Sequence, residues 1–501
     1  MHRNGVLALI LTGYLLVLLD VSILMAALPR IHADLGFSAT SLSWAQNAYT
    51  LTFGGLLLLG ARIGDLAGRR RIFMVGIGLF TAASLAVGLA QSPAWMISAR
   101  AAQGIGAALL APSTLALLST SFPEGPQRMR AMAAYGALAG IGTAVGLILG
   151  GALTETLSWR YGFFLNVPVG VAAIIAAPRL IEETERHHGR VDIAGALCST
   201  LGVSALVFGI VRSADAGWAD AATIGAVVAG SSLIALFVCN QRRAPQPLLP
   251  LRLFASRRRS GAYAARFLFN GVLVSFFFFM TQYLQGVRRL SPLEAGLAFL
   301  PVTAAAFAAA AVTPRLTRRH SSARLAIVGC VAMLIGTAWI GRGDAIALPM
   351  IVFGIGQGLG LSTLTTAGMA GVVPQDAGIA GGLVNVSHHL GGALGLGVLV
   401  TVFDAAGPGL ADQVSAALTA ACAFLALAIA ILVVTARRTP CRSPETRSTP
   451  TSAPPTGSRV RSSSTPSPQP HLPLASPPPW STSPPAPAPP GTPIPSARPS
   501  T

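Results

Sequence analysis

Gly5-Val6-Leu7-Ala8-Leu9-Ile10-Leu11-Thr12-Gly13-Tyr14-Leu15-Leu16-Val17-Leu18-Leu19-Asp20-Val21-Ser22-Ile23-Leu24-Met25-Ala26-Ala27-Leu28 is an apolar run carrying a single charged residue, Asp20. At about 1.5 Å of helix rise per residue it exceeds the roughly 30 Å of a bilayer's hydrocarbon core. An ionisable side chain at that depth costs roughly 2.5–3.5 kcal/mol on insertion scales, so Asp20 marks function before packing.

Outward from this run the same pattern repeats. The 501-residue chain is 52% hydrophobic and only 10% charged, against about 25% charged in soluble domains. Apolar stretches long enough to span lie near 5–29, 44–61, 72–91, 95–119, 131–153, 161–178, 192–211 and 219–239. Six more follow near 262–286, 294–313, 324–341, 346–369, 380–403 and 413–435. The expected fold is an all-α polytopic membrane protein with about 14 transmembrane helices.

Arginines in the connecting loops set the orientation, because basic short loops stay on the cytoplasmic side. One alternating set of loops carries Arg62 with Arg69–Arg71, then Arg128 and Arg130, then Arg179, Arg186 and Arg190, then the cluster from Arg242 to Arg259, then Arg315, Arg318, Arg319 and Arg324. The other set holds little beyond Arg30, Arg160, Arg212, Arg288, Arg289 and Arg342. Both termini are therefore expected in the cytoplasm, which demands an even helix count. The net charge of +18 belongs to this asymmetry and suits an anionic inner leaflet. It is no nucleic-acid footprint, since the arginines sit in short interhelical loops without an aromatic-lined groove.

Lysine is absent, so all 35 basic residues are arginine. That excludes a Walker A nucleotide loop, whose Lys reaches the phosphates, and Schiff-base chemistry, which needs an amine. Cys198, Cys239, Cys330, Cys422 and Cys441 show no metal-ligand spacing and read as small apolar filler. The first run is too long for a signal-peptide core and ends in Pro29-Arg30, so a retained helix is expected. No cofactor, metal or enzymatic chemistry is expected.

The organisation reads as a six-helix bundle over 1–178, two additional helices within 179–240, a basic cytoplasmic loop at 241–260, and a second six-helix bundle over 261–437. A pair of pseudo-symmetric halves is how secondary transporters enclose a midplane site. Residues 438–501 turn abruptly to Pro, Ser and Thr, the composition of a disordered cytoplasmic tail.

Several motifs carry a resemblance. Leu19-Asp20-Val21-Ser22-Ile23-Leu24-Met25-Ala26-Ala27-Leu28-Pro29 resembles the first-helix motif of the fourteen-span drug:proton antiporter branch of the major facilitator superfamily, with Met25 where a polar Asn is common. Gly60-Ala61-Arg62-Ile63-Gly64-Asp65-Leu66-Ala67-Gly68-Arg69-Arg70-Arg71 is similar to the superfamily's cytoplasmic loop signature. There the resemblance implies a conformational latch made by Gly64, Asp65, Gly68, Arg69 and Arg70. The stretch Ile97 to Ala108, with Arg100 inside it, resembles the motif built around an intramembrane arginine. In the fifth span Gly142, Gly146, Gly150 and Gly151 resemble the antiporter packing motif, with Leu147 where that motif has proline. Ser158-Trp159-Arg160-Tyr161-Gly162 resembles the entry to the sixth helix, and the match continues to about residue 435.

Asp20 is the natural partner for Arg100, whose guanidinium cannot be neutralised; snorkelling of Arg100 to an interface is the alternative. A carboxylate that alternates between contact with Arg⁺ and a dry environment can bind and release a proton. His388 and Glu155 are further proton-coupling candidates, with at most one of His388 and His389 expected to see the cavity. Asn47 and Tyr49 on the second span, and Asn270, Gln282, Tyr283 and Gln285 on the ninth, are the candidate substrate contacts. Asp192 reads as a helix cap. The resemblance implies a proton-gradient-driven exporter of small amphipathic or cationic compounds in the bacterial cell membrane, conferring antibiotic resistance, and the Arg-rich loops are compatible with a monomer. A same-fold metabolite transporter and a membrane receptor acting through its tail stay open as alternatives.

Overall fold

The computed structural model describes residues 2–38, 41–122, 126–183, 192–243, 248–249, 251–340, 346–372 and 377–436; the expected tail at 438–501 lies outside them. Backbone polar groups in lipid must be satisfied within their own segment, and each apolar run duly forms a helix. In chain order these are α1 (His2–Leu35), α2 (Ser43–Ala67), α3 (Arg69–Gly88), α4 (Pro93–Ser121), α5 (Pro126–Thr156), α6 (Trp159–Phe164), α7 (Asn166–Leu180), α8 (Ile193–Ala216) and α9 (Ala221–Arg243). The rest are α10 (Arg257–Gln282), α11 (Pro292–Ala298), α12 (Leu300–Leu316), α13 (Ser322–Ile340), α14 (Ala347–Met369), α15 (Ala377–Ala405) and α16 (Leu410–Ala436). Thirteen helices are long and apolar enough to cross a membrane among the described residues, α6–α7 and α11–α12 counting once each. The 31-residue α5 brings the number to the expected fourteen.

Local chemistry fixes the helix ends. Ser92 accepts the Trp95 N–H with Pro93 in the first turn, and Ser291 and Glu294 form a capping box ahead of α11, each satisfying an N–H left over by the first turn. Asp192 caps α8 by accepting from the Gly195 N–H at 2.8 Å, and also accepts from Asn240 and Gln241 of α9. The basic segment expected as a loop to residue 260 is already helical from Arg257.

Helices α1, α2, α4 and α5 face α10, α12, α14 and α15 across a cavity of about 2040 Å³. Outside this ring α8 packs on α9 and lies along the seam between α2 and α15, where Leu51, Val203, Val207, Val211 and Ala393 form a separate apolar cluster. Trp44 packs there and meets Phe208.

The cavity runs out between Arg62, Asp65, Arg69, Ser119, Arg252 and Pro314, the arginine-rich end of the bundle. At the other end the two sides are joined. Gln285 donates to the Ala26 carbonyl at 2.9 Å, the Leu293 N–H donates to Glu155 at 3.1 Å, and Gly151 presses on the Pro292 carbonyl.

Candidate functional site

Asp20 and Arg100 are both fully buried and form a direct ion pair, Arg100 Nη1 lying 2.5 Å from Asp20 Oδ2. Snorkelling of Arg100 is thereby ruled out; its Nε instead donates to the Ala45 carbonyl at 3.0 Å. One turn along α4, Gln103 completes the arrangement. Its Nε2 donates to Asp20 Oδ1 at 2.6 Å and to Ser84 Oγ at 2.7 Å, and its Oε1 accepts from Arg100 Nη1 at 2.7 Å. Asn166 reaches the same Ser84 hydroxyl at 3.3 Å. One polar network thus ties α1, α3, α4 and α7 together in a region otherwise sealed by apolar packing. Each carboxylate oxygen has a donor, which is what lets a charge persist at that depth.

Tyr49 separates this network from the cavity. It lines the cavity wall, and the Arg100 guanidinium sits over its ring at 4.3 Å from the centroid, a cation–π contact. Its neighbour Asn47 is buried, with neither amide atom hydrogen-bonded, and it is Gln46 that faces the cavity.

The glycines of α5 bring α1 into place. A Cβ at Gly146 would meet Ser22 at 2.6 Å, and one at Gly150 would meet the Ile23 backbone at 2.7 Å. These close approaches seat α1 beside α5 on the flank of Asp20, as small residues do between helices in lipid. Gly142 is looser, contacting only Leu15 and Leu18 side chains from 3.2 Å. Gly151 faces away, toward α11.

At the arginine-rich end Gly68 links α2 to α3 as a single residue with φ +102°, a conformation open to glycine. Asp65 pairs with Arg69 at 2.7 Å, and Gly64 is buried inside α2 and accepts the Gly68 N–H. Sequence reasoning missed Glu183. Its Oε1 accepts the Arg70 N–H at 3.1 Å, its Oε2 lies 3.7 Å from Arg70 and 3.6 Å from Arg71, and Arg70 also donates to the Ile181 carbonyl. A carboxylate beyond the end of α7 therefore clamps the start of α3.

Across the cavity the placements differ from expectation. His388 and His389 both line it, because α15 lies between the two sides. His389 packs against Phe53 of α2 with the rings tilted, 4.2 Å between ring centres, while His388 faces Arg266 of α10 with Nδ1 at 3.5 Å from Nη2. Asn270 also lines it and donates to the His388 carbonyl at 2.6 Å. Gln282, Tyr283 and Gln285 do not: they lie at the end of α10 and in the π-helical turn Tyr283–Val287 that follows it, at the closed end. There Gln282 contacts the Phe278 carbonyl at 3.5 Å, Tyr283 lies beneath Arg288, and Gln285 makes the bond to Ala26. Glu155 sits at the same end.

The model of the Major Facilitator Superfamily matches residues 10–396. The chain belongs to the Major Facilitator Superfamily. It is 39% identical over 442 residues to the cephamycin export protein CmcT of Amycolatopsis lactamdurans, covering 85% of this chain and 91% of that one. To the puromycin resistance protein pur8 of Streptomyces alboniger it is 40% identical over 408 residues, covering 79% and 81%. Among solved structures, a bacterial homologue of the human lysosomal transporter Spinster superposes with a TM-score of 0.64 at 17% identity, covering 87% of this chain and 97% of that chain. The peptide transporter POT gives a TM-score of 0.65 at 15% identity, covering 87% and 94%; these two show the fold alone. As a member of the Major Facilitator Superfamily the chain is a multi-pass membrane transporter and not an enzyme.

Proposed function

We propose that this transporter is a proton-coupled efflux antiporter that carries amphipathic small molecules, drugs or antibiotics, out of a bacterial cell by alternating access. The observation that carries the reading is the sealed cluster of Asp20, Arg100 and Gln103 beside a large cavity open at one end only. In this reading Asp20, when ionised, is held by Arg100. Protonation cancels that attraction and leaves a buried cation without its partner, a cost of roughly 3–5 kcal/mol, large enough to bias a two-state equilibrium. Rocking the halves 1–178 and 261–437 about the cavity would expose Asp20 to the outer side and return it to Arg100 after cargo release. Helices within 179–240 stay with the seam they cover.

Arginine placement supports both termini, and with them the 241–260 segment and the 438–501 tail, on the cytoplasmic side, so the open end faces the cytoplasm. Gly64, Asp65, Gly68, Arg69 and Arg70 then act as a latch at that face. His388 and Glu155 are subsidiary proton sites, and the unit is a monomer in the cell membrane. The potential supplies about 2.3 kcal/mol per charge per 100 mV, before any pH gradient. Relatives named for cephamycin export and puromycin resistance support an antibiotic-like cargo.

The test is expression in a bacterial host lacking its own efflux pumps, grown with a panel of amphipathic antibiotics. A several-fold rise in tolerated concentration for at least one compound, lost in Asp20→Asn, is expected. No rise for any compound with correctly inserted protein contradicts the reading.

A further inference from the structure

Arg266 is a second buried cation, 6% exposed, and it lines the cavity. Unlike Arg100 it has no carboxylate partner among the described residues. Its Nη1 is used up on the Leu361 carbonyl and the Thr365 hydroxyl, each at 2.7 Å. The opposite edge of the guanidinium is unanswered but covered: Nε is buried without a hydrogen-bond partner, and Nη2 has only the imidazole of His388 at 3.5 Å, so a ligand reaches this edge by displacing that imidazole. That Nε–Nη2 edge is one of the two-pronged faces with which arginine grips a carboxylate. Beside it Phe277 and Phe307 supply apolar wall.

Among the described residues no acid lining the cavity answers this charge. Asp20 is spent on Arg100 behind Tyr49, and Asp65 at the mouth is held by Arg69. A fixed cation in a low-dielectric cleft concentrates the field on anions entering it.

We infer that the α10–α15 wall is an anion subsite, and that the cargo is an amphipathic monocarboxylate whose carboxylate docks on the Nε–Nη2 edge of Arg266 with its apolar body against Phe277 and Phe307. This rests on the efflux reading and narrows its substrate class away from cations. An anion leaving a negative interior is also driven by the membrane potential itself, so cargo and proton move charge in the same sense.

The test uses the full chain in phosphatidylcholine nanodiscs and dansyl amino acids with side chains from alanine to tryptophan, each beside its uncharged methyl ester. Binding is read by energy transfer from tryptophan. At least one carboxylate binds tighter than its ester by about tenfold or more, the factor one charge-assisted hydrogen bond supplies. Arg266→Gln abolishes that preference and Arg266→Lys restores part of it, with thermal unfolding showing both variants folded. Equal affinity for acid and ester, no carboxylate binding, or a preference that survives Arg266→Gln overturns the subsite. Tetraphenylphosphonium efflux in parallel separates the two readings: Asp20-dependent export of that cation without carboxylate binding keeps the antiporter and removes the anion subsite.

Discussion

Tyr49 stands between the cavity and Arg100, its ring 4.3 Å from the guanidinium carbon and its hydroxyl without a hydrogen-bond partner. The ring, not the hydroxyl, does the separating. Tyr49→Phe should therefore keep transport and stability near wild type, since removing a buried unpartnered hydroxyl is close to neutral. Tyr49→Ala should open a water path from the cavity to Asp20 and make the protein leak protons without cargo. Passive proton conductance of reconstituted vesicles distinguishes the two variants.

The α1–α5 contact predicts a graded response along one helix. Gly150→Val drives a side chain into the Ile23 backbone, overpacking that costs roughly 1–3 kcal/mol, and should abolish transport with a lower unfolding temperature. Gly142→Ala meets only leucine side chains from 3.2 Å and should retain most activity. Equal losses at both positions would mean that α5 does not seat α1 through these glycines.

Glu183 clamps the first turn of α3 through a backbone N–H and two arginines. Glu183→Gln keeps the shape but weakens every one of these bonds, and should slow transport several-fold while leaving cargo affinity at the cavity unchanged. Gly68→Ala should be worse, combining backbone strain at φ +102° with a collision against the Glu183 carboxylate. Initial rates and equilibrium binding, measured on the same preparations, check both.

Asp220, in the turn between α8 and α9, is a control for pH effects. A hydrogen bond from Arg212 and then one from the Thr223 N–H lower its pKa to about 2. A folded-state value below the unfolded one means that its contribution to stability is complete above the ordinary carboxylate pKa of about 4 and is lost only as pH falls toward about 2. It stays ionised throughout the physiological range, so Asp220→Asn should leave the pH profile of transport unmoved between about pH 5 and 8.

How much of this was legible in the sequence depended on how much a residue stands out from lipid-compatible surroundings. Asp20 and Arg100 are conspicuous because a charge in an apolar run has few places to go, and pairing them needed no coordinates. Gln103 was not legible: a glutamine on a long helix is ordinary, and only the approach of α1 to α4 puts its amide on both charges. Glu183 was hidden because acids near helix ends are common on loops. Gln282, Tyr283 and Gln285 were read on the cavity because they are polar or aromatic on an apolar span, but they fall beyond it, at the end of α10 and in the turn that follows. The pair His388 and His389 was limited to one cavity residue by the 100° rule, which fails where a helix borders the cavity on two sides.

The most direct test of the central claim is proton movement in inside-out vesicles holding an imposed pH gradient, with antibiotics and amphipathic acids added to wild type and Asp20→Asn. The account predicts that a cargo compound collapses the gradient in wild type and leaves it intact in the variant. Collapse of equal size in Asp20→Asn would contradict it, placing the coupling proton on another group.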